Sequence, residues 1–380
     1  MASKAQLPPV PTVAETLKHP AYPTAMWNLE PDRKGLVPVA AGRGGPFNMS
    51  WEIHGVGPIK LIFIMGLGGF KSAWQRQTLH FGHERRDQYS VLLIDNRGMG
   101  DSDKPLMRYS TSEMALDIVE VLASPEVGWL PSYPLPPLDG SAPAPERTLH
   151  VVGISLGGMI AQELAVVLAE YISSLSLICT AAAVENTTSF TEHMAQRASL
   201  ILPKSVDRSV ADTARRIFAA SWLGAPDDAR LPDPATTPKC KPPAPVTADG
   251  SGEEQRYLRF ETNAQRFVAQ EMHKRLDPAG RFTLKGFLLQ LIAAGWHHKS
   301  PAQLAAMADR VGRDRILVMH GTEDRMITVP HGRKLIDFVR PAKGIIVEGM
   351  GHAPLAERCD WFNQVIEEQC LLGERLDGRA

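Results

Sequence analysis

Leu149-His150-Val151-Val152-Gly153-Ile154-Ser155-Leu156-Gly157-Gly158 is a short β-branched run that stops at Gly-x-Ser-x-Gly. A helix-like run, Met159-Ile160-Ala161-Gln162-Glu163-Leu164-Ala165, follows with no linker. A serine held between a strand and a helix sits on a turn so tight that its backbone is strained and its hydroxyl is presented outward, the setting of a nucleophile. Gly153 and Gly157 lack the Cβ atoms that would collide with such a turn. The five-residue pattern alone also describes an ordinary glycine-rich βα turn, so the rest of the chain has to supply the context.

Strand and helix signals alternate on both sides of this stretch. Phe47–His54 alternates apolar and polar residues, and Ile59–Met65 is a near-continuous apolar run ending at Gly66-Leu67-Gly68-Gly69. Tyr89–Ile94 is another, followed by Asp95-Asn96-Arg97-Gly98-Met99-Gly100. Thr148–Gly153 leads into the serine turn and Ile172–Cys179 follows its helix. Arg315–Met319 and Gly344–Val347 come far downstream. Apolar strands separated by helical stretches predict an α/β fold with a mostly parallel, doubly wound sheet covered on both faces.

Two segments interrupt the alternation. The first, 125–147, is rich in proline and is expected to be an exposed excursion. The second, 185–312, holds helical patterns at Phe190–Leu202, Val210–Trp222, Glu253–Leu276 and Thr283–Trp296, around a flexible Pro-rich loop at 224–252. A helical insertion between sheet strands predicts a cap or lid over the carboxyl edge of the sheet. The expected division is an N-terminal extension at 1–46 that wraps the surface, a core at 47–184 and 313–380, and the cap at 185–312. There is no repeat at solenoid periods.

A chain of 380 residues with 44% hydrophobic content can fill a sizeable core. A formal net charge of −1 gives no reason to expect nucleic acid or an anionic membrane as partner. The four cysteines (Cys179, Cys240, Cys359, Cys370) show no CxxC spacing and fit a reducing compartment. The N-terminus has no apolar signal-like region, no apolar stretch reaches about 18 residues, and Gly378-Arg379-Ala380 is no peroxisomal address. A soluble, cytoplasmic protein is the expectation.

A serine hydroxyl needs a base, and the base an orienting acid. Asp324 lies in Gly321-Thr322-Glu323-Asp324-Arg325, just beyond one apolar strand, and His352 lies in Gly349-Met350-Gly351-His352 beyond the next. Loops beyond strand ends face the site in open α/β sheets. Ser155, Asp324 and His352 thus follow one another in the chain, each after its own strand. Glu323 is a weaker candidate for the acid. The oxyanion of acyl transfer needs backbone N–H donors; Leu156, after the serine, offers one and Leu67, in the glycine turn, a second. That turn lacks the last glycine of GxGxxG and there is no Walker lysine pattern, so nucleotide readings fail. Among the other histidines, His320 reads as packed and hydrogen-bonded, and His331, His297 and His298 as solvated. His80 and His83 read as surface residues without a third metal ligand.

With these pieces assembled, the chain resembles the serine-nucleophile branch of the α/β-hydrolase fold superfamily. The resemblance rests on Met65–Gly69, Asp95–Ser102, Gly153–Gly157, Gly321–Asp324 and Gly349–Pro354, and spans about 47–182 and 313–370. It implies a helical cap after the strand that follows the elbow. Many members carry His-Gly where this chain has Met65-Gly66. Ser155 separates the chain from the epoxide hydrolases and haloalkane dehalogenases that use an aspartate at that position.

The expected activity is that of a cofactor-free and metal-free serine hydrolase. Its expected substrate is a small-molecule carboxylic ester with an apolar acyl group. Ser155 would attack, His352 relay the proton and Asp324 hold the imidazolium, with Leu67 and Leu156 N–H on the oxyanion. An acyltransferase with the same triad, a lyase or cofactor-free peroxidase on this fold, and a non-hydrolytic ligand-binding protein are the alternatives. The cap aromatics Phe190, Trp222, Phe267, Phe287 and Trp296 serve equally as core or as pocket lining.

Overall fold

The computed structural model describes residues 9–136, 145–185, 204–243 and 256–379. Among them eight strands form one sheet: β1 Arg33–Val39, β2 Phe47–His54, β3 Ile59–Ile64, β4 Tyr89–Ile94, β5 Leu149–Ile154, β6 Ile172–Ile178, β7 Ile316–Gly321 and β8 Lys343–Val347. Their spatial order is β1-β2-β4-β3-β5-β6-β7-β8. β2 pairs antiparallel with β1 and β4 and every other pair is parallel, so β2 alone runs against the rest.

The central strands are mostly apolar because both their faces are covered. Successive residues point to opposite sides: Ile62, Ile64, Leu92, Ile94 and Val151 join one core, while Leu61, Phe63, Val91, Leu93 and Val152 join the other. The first core is closed by α1 (Thr111–Ala123) and α2 (Leu156–Leu168). Between β6 and β7 come α3 (Val206–Ile217), α4 (Asn263–Arg275), α5 (Leu284–Trp296) and α6 (Pro301–Val311). Then α7 (Val329–Val339) joins the first face and α8 (Cys359–Leu376) covers the second with Phe362 and Ile366. No described helix is long and apolar enough to cross a membrane.

Several local expectations are corrected. The 1–46 stretch contains a strand, β1, that its sequence hides: Gly35 and Pro38 interrupt the pattern, and an outermost strand can spare the N–H that proline lacks. The excursion at 125–147 is partly packed, with Val127, Trp129 and Leu130 buried, before the exposed stretch Pro131–Pro134; 137–144 lies outside the described residues. The described part of the Pro-rich loop, 225–243, lacks helix and strand but is packed rather than loose. Ala229 and Cys240 bury against Trp27, Leu79 and Tyr257. Asp227 accepts from the buried Arg266 guanidinium at 2.6 Å, and from Phe260 N–H at 3.0 Å. That anchor keeps the chain before α4 extended, so the helix starts at Asn263. The expected helix at Phe190–Leu202 lies outside the described residues.

The chain leaves β3 for β4 on one side, then returns past β3 to lay β5 on the other. Such a reversal opens a crevice at the carboxyl ends of the two strands between which it occurs. The loops after β3 and β5, Met65–Gly69 and Ser155, meet there.

Candidate active site

Ser155 occupies φ 58°, ψ −123°, a region costly for any residue with a Cβ, on the order of 1–3 kcal/mol. The surroundings hold it there. Its N–H donates to Ile178 O at 3.0 Å, and its carbonyl accepts from Gly158 and Met159 N–H at 3.0 and 3.2 Å. Thr180 Oγ1, which no motif announced, donates to the same carbonyl at 2.7 Å. The turn is tight enough that a Cβ on Gly157 would sit 2.1 Å from Ile64 O. Gly66 passes against the serine itself: a Cβ there would lie 2.9 Å from Ser155 Cβ and 3.4 Å from its Oγ. The glycine turn after β3 is therefore the serine's neighbour. Leu156 is the first residue of α2, whose opening N–H groups have no partner within the helix, and the helix dipole makes this end partly positive. Leu67 N–H likewise has no hydrogen-bond partner among the described residues. Asn96 Nδ2 supports the glycine turn from the next loop, donating to Met65 O at 2.9 Å.

His352 and Asp324 are both buried, beyond the adjacent strands β8 and β7, and His352 Nδ1–H donates to Asp324 Oδ2 at 2.6 Å. Burial alone would raise the Asp324 carboxyl. The imidazoles of His352 and His320 outweigh it and bring the pKa to about 2. An ionised acceptor fixes the Nδ1–H tautomer and leaves the lone pair on His352 Nε2. Asp324 Oδ1 accepts from Met326 and Ile327 N–H at 2.8 and 2.9 Å. Glu323, by contrast, is 39% exposed with Arg325 4.0 Å away. No hydrogen bond joins Ser155 Oγ to His352 among the described residues. Contacts of this kind commonly tighten when substrate binds.

The loop that carries His352 is pinned by a residue the motif search passed over. Glu357 Oε2 accepts from Gly351 and Ala219 N–H at 3.0 and 3.1 Å, and Oε1 from Ala353 N–H at 3.3 Å. Burial, with a contribution from Asp324, holds this carboxyl above its ordinary value despite the three donors. The end of α3 completes the clamp. Ile217 O accepts from His352 N–H at 2.5 Å, Arg216 O from Arg325 N–H at 3.2 Å, and Arg215 O from the Arg325 guanidinium at 3.3 Å. The last carbonyls of α3, which have no partner inside the helix, are thus satisfied by the two loops bearing Asp324 and His352. Glu357→Ala leaves three buried N–H groups without acceptors. It should cost on the order of 3 kcal/mol or more in urea unfolding, at about 1–3 kcal/mol per orphaned donor. A loss below about 1 kcal/mol would show that the carboxylate is not the anchor.

Other histidines and a cysteine fill in the surroundings. His320 is buried, as its strand-end position suggests, and its Nε2–H reaches both Ile327 O at 2.6 Å and Asp324 Oδ2 at 3.2 Å. His297, expected in solvent, is instead buried between Thr111 Oγ1 at 2.9 Å and Gln162 Oε1 at 3.4 Å, and burial pushes it down to about 3. His331 is buried against Glu185, and His83 against His54 at 3.0 Å and Pro238 O at 2.6 Å. Their partners lie far away in the chain, so local sequence could not reveal the burial; His298 is exposed as expected. Cys179, with φ 45° at the end of β6, puts its sulfur within 4.8 Å of the Asp324 and His352 donor atoms. Burial and the neighbouring carboxylate push this thiol well above its ordinary value, and the acid and imidazole are already bonded to each other. Such a set packs under the site better than it ligates a metal.

Residues 53–365 match the family model described as the alpha/beta hydrolase family. A protein of Azorhizobium caulinodans, provisionally named a carbamate hydrolase, is 28% identical over 135 residues, 36% of this chain and 42% of its own. The 3-oxoadipate enol-lactonase 2 of Acinetobacter baylyi is 26% identical over 163 residues, 43% of this chain and 51% of its own. The chain therefore spans about half or less of the length of these curated relatives. A thermophilic esterase from Thermogutta terrifontis superposes with a TM-score of 0.57 at 16% identity, over 88% of this chain and 97% of the esterase. Such low identity speaks for the fold alone, but the family model covers most of the sequence, from β2 to α8. With a β2-reversed parallel sheet and a strained serine turn at its switch point, the chain belongs to the alpha/beta hydrolase family.

Proposed function

We propose that the protein is a cofactor-free serine hydrolase acting on a small carboxylic ester with an apolar acyl group. Ser155 Oγ attacks the carbonyl while His352 Nε2 takes its proton. Asp324 holds the resulting imidazolium, and Leu67 and Leu156 N–H bind the oxyanion. His352 then returns the proton to the leaving alcohol, and water, activated by the same imidazole, releases the acid from Ser155. The observation that carries this reading is the strained backbone of Ser155, a cost a protein keeps only where surrounding structure enforces it. The buried His352–Asp324 bond supplies the base with a fixed tautomer. Relatives named for carbamate and enol-lactone substrates favour a bond beside a carbonyl. We read 185–312 as the cap, and 47–184 with 313–380, extended by β1 from the N-terminal stretch, as the core.

A fluorophosphonate probe, with the labelled residue mapped by mass spectrometry, and p-nitrophenyl esters graded by acyl length test the proposal. Label on Ser155 and free acid as product support it. Acyl transfer to an added alcohol or thiol in preference to water would make the protein an acyltransferase. Turnover without an acyl-enzyme burst points to the lyase or peroxidase chemistry. Failure of both labelling and turnover would leave a ligand-binding protein.

A further inference from the structure

A side chain from the insertion between β6 and β7 holds the turn after β3. Gly69 N–H donates to Gly66 O at 3.2 Å and Gly68 has φ +67°. These are the marks of a type II turn with Leu67 at its second position. Rotation of the central peptide, which joins Leu67 to Gly68, would convert it to type I. The N–H of that peptide, on Gly68, donates to Gln290 Oε1 at 3.0 Å.

Gln290 lies on α5 and is completely buried. Its Nε2 donates to Arg97 O at 2.9 Å. Arg97 is itself anchored: its guanidinium donates to both Asp117 oxygens at 2.5 and 2.6 Å and lies over the rings of Phe47 and Tyr109. The amide therefore has one usable orientation, with its oxygen toward Gly68 and its nitrogen toward Arg97 O. A flipped turn would bring Leu67 O against Gln290 Oε1, acceptor against acceptor. Phe287, three residues earlier on α5, closes the same side, since a Cβ on Gly68 would lie 2.9 Å from its ring.

We infer that Gln290 is a positioning residue. From the insertion, it anchors the Leu67–Gly68 peptide and thereby holds in place the adjoining Gly66–Leu67 peptide, whose N–H is offered to the oxyanion, so the seating of α5 and transition-state stabilisation are coupled. The inference rests on the serine-hydrolase reading. Losing one oxyanion donor outright costs about 10²–10³ in kcat, so loosening its turn should cost less.

The test uses the full chain with Gln290→Met, which keeps the length and removes donor and acceptor. On an activated ester, kcat should fall by about 10- to 100-fold with KM changed less than about threefold. Affinity for a trifluoromethyl ketone should fall in parallel with kcat/KM. Gln290→Glu guards against a folding defect. Burial raises its carboxyl, and the protonated form copies the amide's donor and acceptor. Its kcat relative to wild type should therefore recover as pH is lowered from about 8 to about 6. A merely structural role would shift the melting temperature and leave that ratio flat. Wild-type protein without turnover or Ser155 labelling sinks the hydrolase reading beneath the inference. Active wild type with Gln290→Met keeping kcat within about twofold overturns the role of Gln290 alone.

Discussion

Ser155→Ala should lower kcat on an activated ester by about 10⁴-fold or more, leaving only what binding and the oxyanion donors contribute. KM should change little, because the hydroxyl bonds to substrate in the transition state and not before. Fluorophosphonate labelling should vanish. The backbone supplies a second readout. Alanine at φ 58° keeps the strain that serine bears there, whereas glycine does not. Ser155→Gly should therefore be as inactive as Ser155→Ala yet melt higher. About 1–3 kcal/mol of relieved strain is offset only in part by the roughly 0.5–1 kcal/mol that glycine's looser unfolded chain costs. Near-full activity in either variant would remove Ser155 from the mechanism, and equal melting temperatures would remove the strain.

Asp324→Asn should lower kcat by about 10³- to 10⁴-fold with the fold retained. All four hydrogen-bonding partners of this carboxylate are donors: the N–H groups of Met326 and Ile327, and the imidazoles of His352 and His320. An amide must turn its NH₂ toward one of these pairs. Facing the imidazoles, it favours the other tautomer of His352 and removes the lone pair from Nε2. Facing the backbone, it sets donor against donor. Either way the base is lost or the loop is strained. The pH dependence of stability has a definite sign. The folded-state pKa, about 2, lies below the ordinary carboxyl value of 3.8. The ionised group thus contributes roughly 2 kcal/mol, present above pH ~4 and lost as pH falls toward ~2. Asp324→Asn should flatten that acid limb in denaturation curves. A variant with kcat within about tenfold of wild type would show that another group orients His352.

The central sheet was legible because a parallel strand buried on both faces carries an apolar run, as in Leu61–Ile64 of β3 and Val91–Ile94 of β4. The strand-end positions of Ser155, Asp324 and His352 could be read for the same reason, each following such a run. β1 could not, since an edge strand with Gly35 and Pro38 carries little pattern. Gln290 and Thr180 were hidden by distance, since they act on backbone groups that only the folded chain brings near. Glu357 lies close in the chain to Gly351 and Ala353, but its reach to Ala219 and the loop it closes are visible only in the fold. Gln290 and Gly68 are 222 residues apart. A buried histidine such as His297 looks solvated until Thr111, from α1, arrives beside it. Residues of α3 and α4 read poorly because these helices pack on each other and on the short helix Val13–Leu17, not against the sheet's repetitive surface.

The clamp at the end of α3 bears on how substrate range could be redesigned. Exchanging whole insertions between relatives is the obvious route to new specificity, since the core would travel unchanged. Here the donor segment would also have to deliver carbonyl oxygens where Arg215, Arg216 and Ile217 now place theirs, beneath His352 and Arg325. A graft that alters this three-residue register would also disturb the loops that carry Asp324 and His352, the acid and base of the proposed mechanism. Chimaeras joined after Ala219, which leave α3 with its native core, keep substrate range separable from those loops.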